Sequence, residues 1–449
     1  MNHIRQSGPT AGQLRSQVRA VLAKRCAGSI VAAGIVAVAL VLVAAGFAHH
    51  FDWVRSWRVI GFPGALPPFY DLHVVTDNAA RCAGTAAYPY LDAACNPWGE
   101  GYNYPPVWLL LGRLGIDGGS TPFFTPFFTP FLAMLFELPA LVLFAVLLRG
   151  HALGSGLMAL ALILSPSVVL GFERGNIDIA EWVVVCGAAL VFSERSAVRA
   201  AASLVLLCFG VVIKFLAVFC CALFVRLRPK SMIVAVLLAV FSLAYLYSLA
   251  DVLPVIRKTT PISPYVSYGY PILFDRLEFF YGPWLGLDLS GLTRSWIPIA
   301  TVAIVMIAAL AAAVMIWRRD SAFGRFSEGS GGVAFLFGSA IFCGSFLLLD
   351  TNYTYRLMFL LLCLPQLFDW IEDRSDGKSS RRAAYLLYLC CLVSMWLKFH
   401  PEQTLHVNQI ADWILFGVLL MIGALNGLYA LGALLAKHGG PSQGMVTSP

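Results

Sequence analysis

The sequence predicts an all-α fold, a polytopic bundle of transmembrane helices. Of its 449 residues, 59% are hydrophobic and only 12% are charged, whereas soluble domains carry about 25% charged residues. The mean hydropathy is positive. Many apolar runs reach or approach the roughly 20 residues that a helix needs to cross about 30 Å of hydrocarbon. We therefore expect the chain to contact membrane lipids along most of its length.

The net charge of +7 comes from cations that cluster at the ends of apolar runs, which argues against a nucleic-acid partner. Residues 1–26 contain Lys and Arg but no acid, so the positive-inside rule predicts a basic cytoplasmic N-terminus. The first apolar run, 27–48, is too long for a signal-peptide core and lacks an obvious A-x-A cleavage site. We expect it to be a retained span. The N-terminal cations are Arg5, Arg15, Arg19, Lys24 and Arg25.

The later groups of Lys and Arg give one consistent path when all of them are cytoplasmic. These groups are Arg149, Arg195 with Arg199, Arg226 with Arg228 and Lys230, Arg318 with Arg319, Arg374 with Lys378, Arg381 and Arg382, and Lys437. Single spans are then expected at 27–48, 122–149, 155–172, 178–193, 231–250, 296–317, 332–349, 357–371, 383–398 and 410–436.

The segment between Arg199 and Arg226 does not fit a single crossing. Both flanks are basic and predicted to be cytoplasmic, yet the residues between them are too few for two full spans. Two short helices near 200–212 and 215–226, meeting at Lys214, solve this. A non-helical apex inside the membrane is tolerated only where it lines a cavity or is buried in protein.

The expected architecture has about twelve membrane segments with both termini cytoplasmic. Residues 1–26 form the N-terminal segment, 27–436 the transmembrane domain and 437–449 a cytoplasmic tail. Two long polar loops, 49–121 and 251–295, then fall on the outer side. The chemistry is therefore predicted to face outward. Cys82 and Cys95 share the first of these loops, where a disulfide can persist outside a bacterial inner membrane, although the sequence leaves open whether they are bonded.

The first outer loop carries the most informative pattern in the chain. It contains Tyr70-Asp71-Leu72-His73, then Thr76-Asp77-Asn78, Gly84, Tyr88-Pro89-Tyr90, and finally Tyr102-Asn103-Tyr104-Pro105-Pro106. Over about 40 residues this resembles the first loop of the GT-C membrane glycosyltransferases, specifically glycosyltransferase family 87. More weakly, Gly175-Asn176-Ile177-Asp178 and Lys214 resemble two further helix positions of that family.

The resemblance implies a GT-C-like fold and a mannosyltransferase or related enzyme that uses a polyprenyl-phosphate sugar. The acceptor is a lipid or a glycan, and the site faces the extracytoplasmic side of a bacterial inner membrane. The first-loop acid of the family maps onto Asp71 as the general base that takes the acceptor hydroxyl proton. An alternative is that Asp71 caps a helix, because Asp is a favoured N-cap residue.

The phosphate that leaves needs cationic groups to stabilise it, and charged residues within or beside spans mark functional positions. The candidates are Lys214, Arg356 and Arg174, and after them Arg257, Lys258 and Arg276. Lys214 lies at the predicted hairpin apex, and Arg356 lies at an outer helix start where it can either bind phosphate or extend to lipid headgroups. Arg174 can instead pair with its neighbour Glu173.

Candidates for binding the acceptor or the sugar are Asp77, His73 and Tyr104. Asp77 has a structural alternative, because Asn78-Ala79-Ala80-Arg81 is a plausible helix beginning that Asp77 would cap. Asp178 is likewise expected to cap the helix that follows it. No D-x-D pattern occurs in an outer loop, so neither a metal nor another cofactor is inferred.

Two other functions fit the same spans. A flippase or transporter of a lipid-linked saccharide also needs an intramembrane cation, but transporters are expected to have repeats and discontinuous helices in both halves. The sequence shows one broken segment and no internal repeat. An oligosaccharide ligase would share the outward site but leaves the Asp71 pattern unexplained.

Overall fold

The computed structural model confirms an all-α polytopic bundle. It describes residues 26–50, 52–59, 64–82, 90, 92, 95, 102–114, 121–260, 267–286, 288–319, 325–327, 329–349, 352–372, 377–397 and 401–438. The predicted N-terminal segment, except for its last residue, and the predicted tail beyond His438 lie outside these ranges. Extended structure within them is limited to an antiparallel bridge, in which Ser267 pairs with Tyr353 and Tyr268 with Asn352.

Seven helices in the described residues are long and apolar enough to cross a membrane, or eight segments if one bent pair is counted as a span. The other predicted spans are present as shorter or more polar helices, so the predicted number and orientation of twelve segments stay predictions. The seven are Ala27–Ala48, Thr129–Leu147, Ala197–Lys214, Pro229–Ser248, Ile297–Arg318, Ser330–Leu348 and Val407–Ala436. The others are Ile177–Val191, Leu216–Arg226, Thr354–Cys363 with Leu364–Glu372, and Gly377–Trp396.

The predicted break at Lys214 is present. An α-helix, Ala197–Lys214, ends there, Phe215 adopts a left-handed conformation with φ of 73°, and a 3-10 helix continues over Leu216–Arg226. The first arm is longer than the predicted 200–212, because Ser196 accepts a hydrogen bond from the backbone of Arg199 and starts the helix earlier. With 18 residues, this arm is by itself long enough to be a span.

A second discontinuity was not predicted. The expected single span at 155–172 is a pair of helices, Leu153–Ile163 and Pro166–Arg174, bent by 58°. The cause is Pro166, which favours the first turn of a new helix but lacks the N–H that a continuous helix would need. The second helix of this bent pair ends at Gly175.

The first polar loop also folds into helices. Tyr70–Cys82 is its longest helix, and a disulfide joins Cys82 to Cys95 with their Cα atoms 5.5 Å apart. The short elements elsewhere are Trp53–Val59, Pro106–Leu109, Leu110–Arg113, Leu253–Thr259, Tyr270–Arg276, Leu277–Tyr281 and Gly282–Leu285. The first membrane helix after the loop begins at Thr121 and ends at Leu147, and the last helix covers Pro401–His438.

Segments that connect the membrane helices contact one another at each end of the bundle. At one end, the site end, the Thr259 hydroxyl donates to the Tyr102 carbonyl over 3.1 Å, and Arg276 donates to Asn408 over 2.9 Å. At the other end, the Glu372 carboxylate accepts a hydrogen bond of 2.9 Å from the backbone N–H of Ala152. Each of these contacts joins residues that the charge pattern assigns to the same side of the membrane, and the orientation itself stays a prediction.

Candidate functional site

Asp71 lies at the site end, in the first turn of Tyr70–Cys82. The helix starts directly after Phe69, which adopts a left-handed backbone conformation with φ of 59°. Oδ2 of Asp71 accepts a hydrogen bond of 2.6 Å from Nδ2 of Asn176, and its Oδ1 lies 3.8 Å from Nη1 of Arg174. The Asp71 side chain remains 18% exposed, so a substrate can reach its carboxylate.

The turn between two membrane helices positions these partners. Gly175 ends Pro166–Arg174 with φ of 59°, and a Cβ at this position would lie 2.9 Å from the Cβ of Phe69. Only glycine permits both the conformation and this close approach. Asn176 then caps Ile177–Val191 by accepting from the backbone N–H of Asp178 over 2.9 Å. The same amide therefore caps one helix and holds the carboxylate of another.

Burial raises the pKa of Asp71 above its ordinary value of 3.8, because desolvation disfavours the charged form. Arg174, the hydrogen bond from Asn176 and Lys214 each lower the pKa and so offset part of the rise. A buried carboxyl with a raised pKa and cations close by is typical of a general base.

Asp178 joins the two predicted phosphate-binding cations. Its carboxylate is fully buried; Oδ1 lies 3.6 Å from Nζ of Lys214 and Oδ2 lies 3.2 Å from Nε of Arg356. Asp178 lies in the first turn of its helix, and Lys214 lies in the last turn of Ala197–Lys214. Both positions are favourable, because helix N-termini stabilise anions and C-termini stabilise cations.

Further contacts fix the two cations. Nη1 of Arg356 donates to Oδ1 of the buried Asn352 over 2.9 Å. Nζ of Lys214 lies 4.2 Å from the centre of the Tyr104 ring, a geometry in which the aromatic face attracts the ammonium group. Trp108 anchors the break itself by donating to the carbonyl of Ile213 over 2.9 Å.

Lys214 and Arg356 line a cavity of about 270 Å³. The cavity has a cationic part, to which Arg257 also contributes, and an apolar part. A phosphate attached to a hydrocarbon chain matches this combination of walls. The remaining lining residues are Asn103, Pro105, Phe215, Leu216, Leu253, Ile256, Thr260, Leu348 and Leu349.

Arg174 does not line this cavity. Besides Asp71 it contacts its neighbour Glu173, whose Oε2 lies 3.2 Å from Nε of the arginine. Oε1 of Glu173 in turn accepts from Nε1 of Trp53 over 3.0 Å and from the backbone of Ala65 over 2.6 Å. Arg174 thus lies in the hydrogen-bond network around Asp71, so the structure separates it from the other two predicted phosphate ligands.

His73 and Asp77 are also placed differently from the prediction. They pair with each other, with Nδ1 of His73 3.5 Å from Oδ2 of Asp77. Positions two apart in a helix lie about 200° around its axis, so His73 projects away from Asp71. The expected capping role of Asp77 is wrong, because the helix begins at Tyr70 and Asp77 lies in its interior.

The sequence analysis missed the role of Asp178, which it interpreted as a cap. Asn176 caps the helix instead, and Asp178 pairs with cations 36 and 178 positions away along the chain. Glu181, one turn further on, is also buried and accepts from the backbone of Ala217 over 2.7 Å. The sequence did contain a signal for such a role: two acids, Asp178 and Glu181, lie at the start of an apolar run, where charges are costly.

Comparison with models of protein families, with curated proteins and with solved structures finds no match to this chain. Any function assigned to the site therefore depends on its residues and their geometry.

Proposed function

We propose that the chain is a GT-C-type membrane glycosyltransferase. It transfers a sugar, with mannose as the candidate, from a polyprenyl-phosphate donor to a lipid or glycan acceptor on the extracytoplasmic face of a bacterial inner membrane. The observation that supports this best is the position of Asp71, a partly buried carboxyl whose raised pKa is lowered in part by the charge of Lys214, a cation that lines a partly apolar cavity.

The proposed reaction is a direct displacement. The acceptor hydroxyl oxygen forms a bond to the anomeric carbon, while the bond from that carbon to the phosphate oxygen breaks. The hydroxyl proton goes to the carboxylate of Asp71, and polyprenyl phosphate leaves with the bonding electrons. One displacement inverts the anomeric centre. Phosphate is a good leaving group, so this scheme needs no protein acid.

The net charge around Asp178 favours binding of a phosphate group. One carboxylate between Lys214 and Arg356 leaves that trio with one net positive charge. The guanidinium fork of Arg356 is fixed by Asn352 and presents donors to phosphate oxygens. As the phosphate leaves and gains charge, these cations are already in place, which is how preorganised groups accelerate a reaction.

A carrier for a lipid-linked saccharide is a second candidate function. The bend at Ser165 and the break at Phe215 are discontinuities in two membrane segments, both of which end at the charged site. Such discontinuous helices beside a binding site are typical of transporters. Both discontinuities lie in the first half of the chain, however, whereas transporter repeats predict them in each half.

The two functions differ in covalent chemistry. Membranes containing the wild type are supplied with polyprenyl phosphate that carries a radiolabelled sugar, and label that has left the polyprenyl carrier is counted. We expect transfer by the wild type and a loss of about 10²–10⁴-fold in Asp71→Asn, with donor binding retained. Asp251→Asn, an exposed acid at the same end of the bundle, is the matched control.

The carrier predicts a different result. The labelled sugar would cross the membrane while it remains attached to its polyprenyl phosphate, and none would appear on a new acceptor. Transfer at the wild-type rate by Asp71→Asn would reject the base, and label that never leaves the polyprenyl carrier would reject the enzyme.

A further inference from the structure

An apolar groove of about 550 Å³ lies beside the site, on the side of the first membrane helix. Its walls come from Ala27–Ala48, from Thr121–Leu147 and from the bent pair. The residues on the first helix are Ile35, Val38, Ala39, Leu42, Val43 and Gly46, which recur at helical spacing and so share one face.

The groove is about one leaflet deep. The lining positions on the first helix extend from Ile35 to Gly46, which corresponds to about 16 Å at a rise of about 1.5 Å per residue. The hydrocarbon core of a bilayer is about 30 Å thick. A single hydrocarbon chain that enters from the site end would therefore reach the middle of the membrane.

The groove opens next to the network around Asp71. Phe69 and Trp53 both line it, and the centres of their rings lie 5.0 Å apart. Trp53 donates its indole N–H to Glu173, which lies 3.2 Å from Arg174, and Arg174 in turn lies 3.8 Å from Asp71. The residues that line the groove and those that line the 270 Å³ cavity have no member in common. The groove is thus linked to the network around Asp71, and the cationic cavity is a separate space.

We propose that the acceptor is a lipid, whose hydrocarbon chain occupies this groove and whose headgroup hydroxyl meets Asp71 at its mouth. This inference rests on the proposed transferase function and selects the substrate class among the acceptors it allows. A soluble glycan would gain nothing from walls made of aliphatic and aromatic side chains, whereas each buried CH₂ group of a lipid chain adds to affinity. The donor then occupies the cationic cavity, so both substrates approach from the membrane.

Glu137 supports a function for the groove. It lines the groove on Thr121–Leu147, and among the described residues its Oε1 is buried without a hydrogen-bond partner. A carboxyl is costly in hydrocarbon and is rarely retained where it has no function. It also supplies a native reporter, because the apolar reagent dicyclohexylcarbodiimide adds to carboxyls in such surroundings and leaves a mass tag.

Occupancy by a lipid chain is tested directly on the purified full-length protein. The probe is phosphatidylglycerol with a photoactivatable diazirine on its acyl chain, and adducts are mapped by mass spectrometry. We expect adducts on groove residues to exceed those on Leu138 and Leu40, which are exposed but do not line the groove. The lipid should also protect Glu137 from the carbodiimide. Equal labelling of groove and control positions, or unprotected Glu137, would overturn the proposal.

The role of the chain in catalysis is tested by filling the groove. Ala39 is exposed and lines it, so Ala39→Phe adds a ring there without removing a packed side chain. Leu40→Phe introduces the same ring on the neighbouring face as the control. We expect Ala39→Phe to lower transfer by about tenfold or more, because displacing even two buried CH₂ groups changes affinity by that factor. Donor binding and the Leu40→Phe rate should stay unchanged.

The product separates this inference from the proposed function. Transferred label that partitions into organic solvent, and falls in Ala39→Phe, supports a lipid acceptor. Transferred label that stays in the aqueous phase, at a rate unaffected by Ala39→Phe, overturns the lipid acceptor while leaving the transferase intact. If no label leaves the polyprenyl carrier in the wild type, the transferase itself fails, whatever the photolabelling shows.

Discussion

The amide nitrogen of Asn176 donates to the carboxylate of Asp71 across 2.6 Å, although the two residues are 105 positions apart. Asn176 also caps its own helix through the amide oxygen. Asp71 is thus held by a helix N-terminus in the membrane domain, not by its own loop alone.

The two functions of Asn176 are separable by substitution. Asn176→Ser keeps a favoured capping residue but is too short to reach Asp71. We expect normal thermal stability, together with a further rise in the pKa of Asp71, because a hydrogen bond to the charged form is lost. The acid limb of the kcat/KM profile should move to higher pH. An unchanged limb would show that the amide does not tune the base.

The proposed transfer by the wild type should depend on pH in a defined direction. The base acts only when ionised, so kcat/KM falls as the pH is lowered through the raised pKa of Asp71. The midpoint of this fall should lie above 3.8, the ordinary value for aspartate. Residual transfer by Asp71→Asn should lack this limb. A wild-type midpoint at or below 3.8 would contradict the effect of burial.

Removal of Asp178 should lower the stability of the protein, and binding of the donor phosphate should restore part of it. In Asp178→Asn, Lys214 and Arg356 lose their shared carboxylate, and breaking a buried ion pair costs about 3–5 kcal/mol. A bound phosphate replaces the missing negative charge. We therefore expect a lower Tm than in the wild type and a larger rise in Tm on adding polyprenyl phosphate. A rise equal to that of the wild type would remove Asp178 from the phosphate site.

Gly175 should tolerate no side chain. In Gly175→Ala the new Cβ meets Phe69 and the residue must keep a positive φ, which costs about 1–3 kcal/mol. The strain is relieved by moving the two segments apart, which lengthens the contacts of Asp71 with Arg174 and Asn176. The rate of sugar transfer per folded molecule should therefore fall. Gly154→Ala, where no heavy atom lies within 4 Å, serves as the control and should leave both this rate and the stability unchanged.

Features that depend on local sequence pattern could be predicted from the sequence. Apolar run length predicted six of the seven helices that are long and apolar enough to cross a membrane, and the basic groups on both sides predicted the break at Lys214. For the helix of the first loop the sequence left two starts open, after Asp71 or after Asp77. The structure starts it at Tyr70, where the chain bends at Phe69 through a left-handed conformation that phenylalanine rarely adopts.

The site itself depends on contacts that no local pattern records. The resemblance of the first loop singled out Asp71 as the base. The link from Asp178 to Arg356 joins residues 178 positions apart, and it exists only because their helices pack together. His73 illustrates the opposite error, since proximity in sequence suggested a shared site that helical geometry separates.

The order of Asp178, Lys214 and Arg356 along the chain has a consequence for biogenesis. A ribosome delivers the acid first, the lysine soon afterwards and the arginine much later, so the newly inserted half-protein holds Asp178 with Lys214 as its interim counter-ion. Asp178 lies in the first turn of its helix, where a carboxylate costs less on insertion than the roughly 2.5–3.5 kcal/mol of one at the helix centre. Early pairing with the lysine lowers that cost further, and Arg356 adds the excess of positive charge only after most of the membrane helices have been made.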